Sequence, residues 1–237
     1  MRITTILFDL DGTLLPMDEE EFIKGYFGLL SQKLAPYGYD SEELVNAIWT
    51  GTKAMVVNDG SRLNSEVFWD TFEGIYGVRI RAHMQYFDDF YLNEFKNISK
   101  YCGYTEYAQK VIKLVKDLGY RVVCATNPIF PAIATETRIG LAGLKTDDFE
   151  LYTTYENSSY CKPNPEYYIE ILDKIGCVPQ ECLMVGNDAR EDMAATKLGM
   201  KGFLLTDCLI NKDNVDVSQF ENGDFHKLIE YITTLNN

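Results

Sequence analysis

At 237 residues, 46% hydrophobic and 24% charged, the chain is long enough for one large domain or a core with a smaller insertion, and its composition is that of a soluble globular protein. With 16 Tyr and 13 Phe it has too much apolar bulk to stay disordered. A net charge of −14 disfavours a broad footprint on nucleic acid or an anionic membrane, and it obliges any anionic substrate to find local cations.

Residues 3–8, ITTILF, are β-branched and apolar, as a buried strand requires. No apolar run reaches the ~18–20 residues of a membrane span. The opening MRITTILF also lacks the apolar centre of a secretory leader, so a cytoplasmic protein with reduced cysteines is expected. From Asp18 to about Lys100 the period changes to that of helices. Phe22, Tyr26, Leu29, Leu30 and Leu34 share one face of a helix that Pro36 and Gly38 end. SEELVNAIWTGTKAMV predicts a second helix with Ser41 as its cap; NSEVFWDTFEGIYG and AHMQYFDDFYLNEFKNI predict two more. The aromatic residues of this stretch, Trp49, Phe68, Trp69, Tyr86, Phe87, Phe90 and Tyr91, read as the packing of a helical bundle. Segment 49–62, with Lys53 and Arg62 among glycines, is the better candidate there for substrate contact.

Beyond residue 100, helices alternate with strands at 120–126, 149–155, 181–186 and 201–206, and a helix is expected over 190–199. This predicts an α/β fold: a Rossmann-like parallel sheet covered by helices, with an inserted all-helical cap domain. The expected boundaries are 1–16 and 101–237 for the catalytic core and 17–100 for the cap, with Pro16 and Met17 at the hinge.

In such sheets ligands sit beyond the carboxyl ends of the strands. Asp9 and Asp11 follow the first strand, Thr126 and Asn127 the second, Lys162 comes soon after the third, and Asn187, Asp188 and Asp192 follow the fourth. So many carboxylates on one edge call for a bound cation, and magnesium suits oxygen donors. His83 and His226 are too isolated to make a zinc site. Asp9 can act as a nucleophile and Asp11 as general acid and base, while Gly12 gives the backbone freedom for the turn.

FDLDGTLL, VVCATNP, CKPNPEYY and MVGNDAREDM resemble, in order, the four motifs of the haloacid dehalogenase-like hydrolases, and the helical insertion is similar to that superfamily's type-I cap. The resemblance implies Asp9 as nucleophile and metal ligand, and Asp11 as acid/base with its carbonyl on the metal. Thr126 would bind the phosphoryl oxygens, with Asn127 and Gly12 beside it. Lys162 would neutralise the transferring group, and Asp188 and Asp192 would hold Mg²⁺. Asn187 stands between the glycine and Asp188, which leaves open which acid touches the metal. The implied activity is a Mg²⁺-dependent phosphatase for a small phosphorylated metabolite, with an aspartyl-phosphate intermediate, in a monomer or homodimer. A phosphomutase, a 2-haloacid dehalogenase and a non-catalytic binding protein are the alternatives.

Overall fold

In the computed structural model, which describes residues 2–236, the first apolar run becomes strand β1 (Thr5–Phe8), buried along its whole length. Strands β2 (Arg121–Cys124), β3 (Leu151–Tyr152), β4 (Cys182–Gly186), β5 (Lys201–Leu205) and β6 (Glu221–Gly223) join it in one sheet of order β3-β2-β1-β4-β5-β6. Every pairing is parallel, and Phe8 lies opposite Cys124 on one side and Val185 on the other. The chain runs outward from β1 in one direction, then returns to add β4 on its other flank. That reversal opens a crevice at the ends of β1, β2 and β4.

Alternation along the strands feeds two cores. Ile6, Phe8, Leu183, Val185 and Phe203 pack on one face with helices α5 (Glu106–Asp117) and α8 (Phe225–Thr234). Leu7, Val123 and Met184 pack on the other with Tyr167, Tyr168 and Ile171 of α7 (Pro165–Ile175). Helix α6 (Ala132–Leu141) follows the β2 crossover.

Between β1 and α5 lie four helices: α1 (Glu19–Leu34), α2 (Ser41–Val56), α3 (Asn64–Tyr76) and α4 (Arg79–Asn93). They bury a cluster of their own, with Phe22, Tyr26, Trp69, Phe72, Phe87 and Phe90 at its centre. Gly51 lets α2 and α3 close on each other, since a Cβ there would stand 2.7 Å from the Phe68 ring. The strands entering and leaving this helical layer touch: the Gly103 N–H donates to the Pro16 carbonyl at 2.6 Å. The start of α3 is tied to the sheet layer as well. Its Asn64 and Ser65 N–H groups donate to the carbonyls of Ser158 and Tyr155 at 2.9 and 2.8 Å, so core loops satisfy the free amides of a helix end. The fully buried Asn64 amide also reaches the Pro128 carbonyl, and the Tyr160 hydroxyl donates to the Asp59 carbonyl. Phe130, ahead of α6, packs against Phe22, Tyr26 and Phe95, and an exposed Lys212–Glu19 ion pair at 2.6 Å adds a further tie. No helix among the described residues is long and apolar enough to cross a membrane.

Four local expectations differ. Asp40, not Ser41, caps α2, because its carboxylate accepts from the Glu42 and Glu43 N–H groups. The third strand is two residues long, since the Thr153 hydroxyl turns to the Thr126 carbonyl and the chain leaves the sheet. The segment expected as a helix over 190–199 is a 3₁₀ helix over Met193–Leu198: Tyr168 donates to the carbonyls of Glu191 and Asp192 and diverts them from α-helical partners. β6 has the sequence ENG, which carries no strand signal; it forms by pairing at the edge of β5.

Candidate active site

Asp9 is the first residue past β1, and its N–H is fixed to the Val185 carbonyl at 2.9 Å. Sheet pairing therefore aims it at the crevice. It is 7% exposed. Its Oδ1 accepts from the Lys162 ammonium at 2.8 Å, and the same ammonium reaches Asp192 Oδ1 at 2.6 Å. Lys162 is buried just ahead of α7, and Asn164 caps that helix. Burial on its own would depress the Lys162 ammonium; Asp192 and Asp9 outweigh it and hold its pKa well above the usual lysine value.

The Thr13 hydroxyl stands 3.1 Å from Asp9 Oδ2 and 3.0 Å from Asn187 Oδ1. A hydroxyl has one proton, so it serves one of them at a time. Asn187 is oriented by donating to the Cys208 carbonyl at 2.7 Å, and it fills the space where a Cβ on Gly12 would sit, 2.3 Å from Nδ2. With φ at +78°, Gly12 is left-handed as well, so the turn carrying Asp11 needs glycine for two reasons.

Asp11 is held by a residue the sequence reading did not single out. Arg138, fully buried in the last turn of α6, pairs with Asp11 Oδ2, donates to Thr135 and stacks on Phe130 at 4.5 Å. Asp11 Oδ1 is buried with no partner. Burial pushes the Asp11 carboxyl up to about 6, with Arg138 opposing and Asp9 adding to the rise. The rise brings it toward the range of a catalytic acid and base. We expect Arg138→Met to destabilise the fold by about 3 kcal/mol, the lower end for an uncompensated buried charge. A thermal melt would then fall by roughly 6–12 °C for a chain of this size; an unchanged melt would contradict the pairing.

Thr126 is buried after β2, its carbonyl held by the Thr153 and Tyr167 hydroxyls, and its own hydroxyl has no partner among the described residues. Asn127 donates to Glu191 at 3.1 Å and leaves its Oδ1 buried and unpaired. Glu191 is a second residue missed in the sequence; burial pushes it up to about 7, with Lys162 opposing. Asp188 caps the following turn through Oδ1, which accepts from the Arg190 and Glu191 N–H groups, and its Oδ2 has no donor. Both oxygens of Asp192 are occupied, by Lys162 and by the Asp188 N–H.

All the predicted site residues, Asp9, Asp11, Gly12, Thr126, Asn127, Lys162, Asp188 and Asp192, line one cavity of about 500 Å³ between the sheet and the four helices. Lys53 and Arg62 do not: Lys53 is exposed outside it, and Arg62 pairs with Asp70 at 2.7 Å. The aromatic residues are not confined to packing, for Trp49, Phe68, Trp69, Phe87 and Tyr91 also line the cavity.

Among the described residues, no three acidic, His or Cys side chains converge to form a ready metal cage. Mg²⁺ does not require one, since it binds through one or two carboxylates and keeps its waters. The donor set fits such an ion: all oxygen, with Asp188 Oδ2 free and Asp11 Oδ1 orphaned.

Residues 3–199 match the family model described as haloacid dehalogenase-like hydrolase. Pyrophosphatase PpaX of Bacillus cereus (strain G9842) is 26% identical over 205 residues, covering 85% of this chain and 82% of that one. The crystal structure of a HAD phosphatase from Thermococcus onnurineus superposes with a TM-score of 0.62 at 16% identity, over 99% of this chain and 100% of that one. The HAD-hydrolase YfnB of Bacillus subtilis, in a structure bound to magnesium, gives a TM-score of 0.57 at 16% identity over 98% and 99%.

Proposed function

The chain belongs to the haloacid dehalogenase-like hydrolases, and on that footing we propose that it is a Mg²⁺-dependent phosphatase of small phosphate monoesters, with Asp9 as nucleophile and residues 17–100 as its cap. One observation carries the reading: Asp9 is a nearly buried carboxylate, bonded to a buried ammonium, at the floor of a cavity where a second carboxyl, its pKa raised by burial, lies two residues away. The phosphatase names of the relatives support it.

An oxygen of Asp9 attacks phosphorus in line with the ester oxygen. A new P–O bond forms to Asp9 as the ester P–O bond breaks. Asp11 gives its proton to the leaving oxygen. Lys162 and the Thr126 hydroxyl face the oxygens on which charge builds. Water then attacks the phosphoryl-Asp9, Asp11 takes the water's proton, and phosphate leaves with the Asp9 carboxylate restored. Asp9 and Asp188, with Asp11 beside them, would hold a magnesium ion, which would supply positive charge to the phosphoryl oxygens. Both oxygens of Asp192 are taken, by Lys162 and by the Asp188 N–H, which favours Asp188 as the acid on the metal.

The test is phosphate release from acetyl phosphate and aryl phosphates with Mg²⁺ and with chelator. We expect chelation to lower the rate by at least about a hundredfold, since it removes the main counter-charge. Chelator-insensitive halide release from a 2-haloacid would mean a dehalogenase. Phosphate found back on the substrate instead of in water would mean a phosphomutase.

A further inference from the structure

Above the catalytic floor the cavity changes character. Phe27 of α1, Trp49 and Val56 of α2, and Phe68 and Trp69 of α3 form one wall. Trp49, 47% exposed, and Val56, 42% exposed, both line the cavity, so neither is packed away in the bundle. The Trp49 ring is braced edge-on by Phe27, with centroids 5.6 Å apart. The polar atoms around this wall are few and mostly spent on one another: the Tyr26 and Tyr91 hydroxyls pair at 2.9 Å, and the Trp69 indole N–H donates to the Tyr155 hydroxyl at 3.3 Å, which leaves the Thr52 hydroxyl of α2 without a partner among the described residues.

Charge at the mouth points the same way. The lining cations apart from Lys162 are Arg190 and Lys212, and each already has an acid: Asp213 at 3.3 Å and Glu19 at 2.6 Å. No Lys or Arg of α1–α4 lines the cavity among the described residues. A second phosphoryl or carboxylate group would thus lie against carboxylates and aromatic rings, and would have to draw Arg190 or Lys212 away from the acid already beside it.

From this wall and this charge pattern we infer the substrate class: a phosphate monoester with an apolar, ring-bearing body and no second anionic group, seated against Trp49. The inference rests on the phosphatase reading above and goes beyond it. A cavity of about 500 Å³ holds far more than a phosphoryl group, and it falls within the range of roughly 300–1,000 Å³ of small-molecule sites. An aromatic wall recovers binding energy from ring burial and edge-to-face contact, which a pyrophosphate or a small polar ester could not supply.

The test compares kcat/KM for 1-naphthyl phosphate, methyl phosphate and inorganic pyrophosphate, with acetyl phosphate as a control for turnover. Naphthyl phosphate is expected to exceed each of the other two by at least tenfold, the order of one well-filled apolar subsite. Trp49→Ala should lower the naphthyl-to-methyl ratio about tenfold through KM, the remainder being the aryl ester's better leaving group, and Trp49→Phe should keep most of the ratio. Calorimetry with the Asp9→Asn protein should show naphthyl phosphate bound at least tenfold more tightly than pyrophosphate. A preference for pyrophosphate, or a ratio unmoved by Trp49→Ala, overturns the inference and leaves the phosphatase standing. No turnover even of acetyl phosphate sinks the phosphatase instead, and the calorimetric comparison then decides the substrate class on its own.

Discussion

Asp9→Asn is expected to abolish phosphate release, by at least about a thousandfold, because an amide oxygen is a poor nucleophile toward phosphorus. The fold should survive. Asp9 and Asp192 now share one ammonium, at 2.8 and 2.6 Å. Removing one of the two negative charges leaves a one-to-one buried pair, and the asparagine carbonyl can still accept from Lys162. The melting temperature should therefore move by no more than the few degrees that correspond to about 1 kcal/mol. Full activity in this variant, measured on an aryl phosphate, would remove Asp9 from the chemistry.

Lys162→Met should be the most damaging substitution for activity and fold together. The side chain is 1% exposed and lies between two carboxylates. Without it, like charges face each other in a buried site and the Asp9 carboxylate loses its partner. A loss of about 3–5 kcal/mol is the ordinary cost of an uncompensated buried charge. Loss of a preorganised cation at the reacting group costs about 10²–10³ in kcat. The double variant Lys162→Met/Asp192→Asn separates the two effects. It should regain much of the melting temperature, since one surplus charge is gone, and none of the activity. If its melt stayed as low as that of the single variant, the three groups would not be coupled as their geometry demands.

Much of this site is legible from the chain alone because its groups are local to strand ends. Asp9 and Asp11 break an apolar run, Thr126 and Asp188 stand two residues past their strands and Lys162 lies later in its β–α loop, so topology brings them together. What escapes notice depends on contacts across the fold. Arg138 sits in the last turn of a helix, where a basic residue is ordinary on dipole grounds; only the approach of Asp11, 127 positions away, makes it a buried partner. Glu191 looks like a surface residue of an expected helix, and the diversion of its carbonyl to Tyr168 is a tertiary event. Trp49 and Phe68 follow helical spacing as packing residues do. Periodicity identifies the inward face but cannot say whether the space inside is filled or hollow.

The fastening of α3 to the core loops makes the two rims of the chamber unequal. On one rim, main-chain hydrogen bonds and a buried amide must be surrendered together before a gap opens. On the other, the Glu19–Lys212 pair is solvent-exposed and counts for about 0–1 kcal/mol. Separation therefore costs less at the Glu19–Lys212 contact than where α3 meets the core loops.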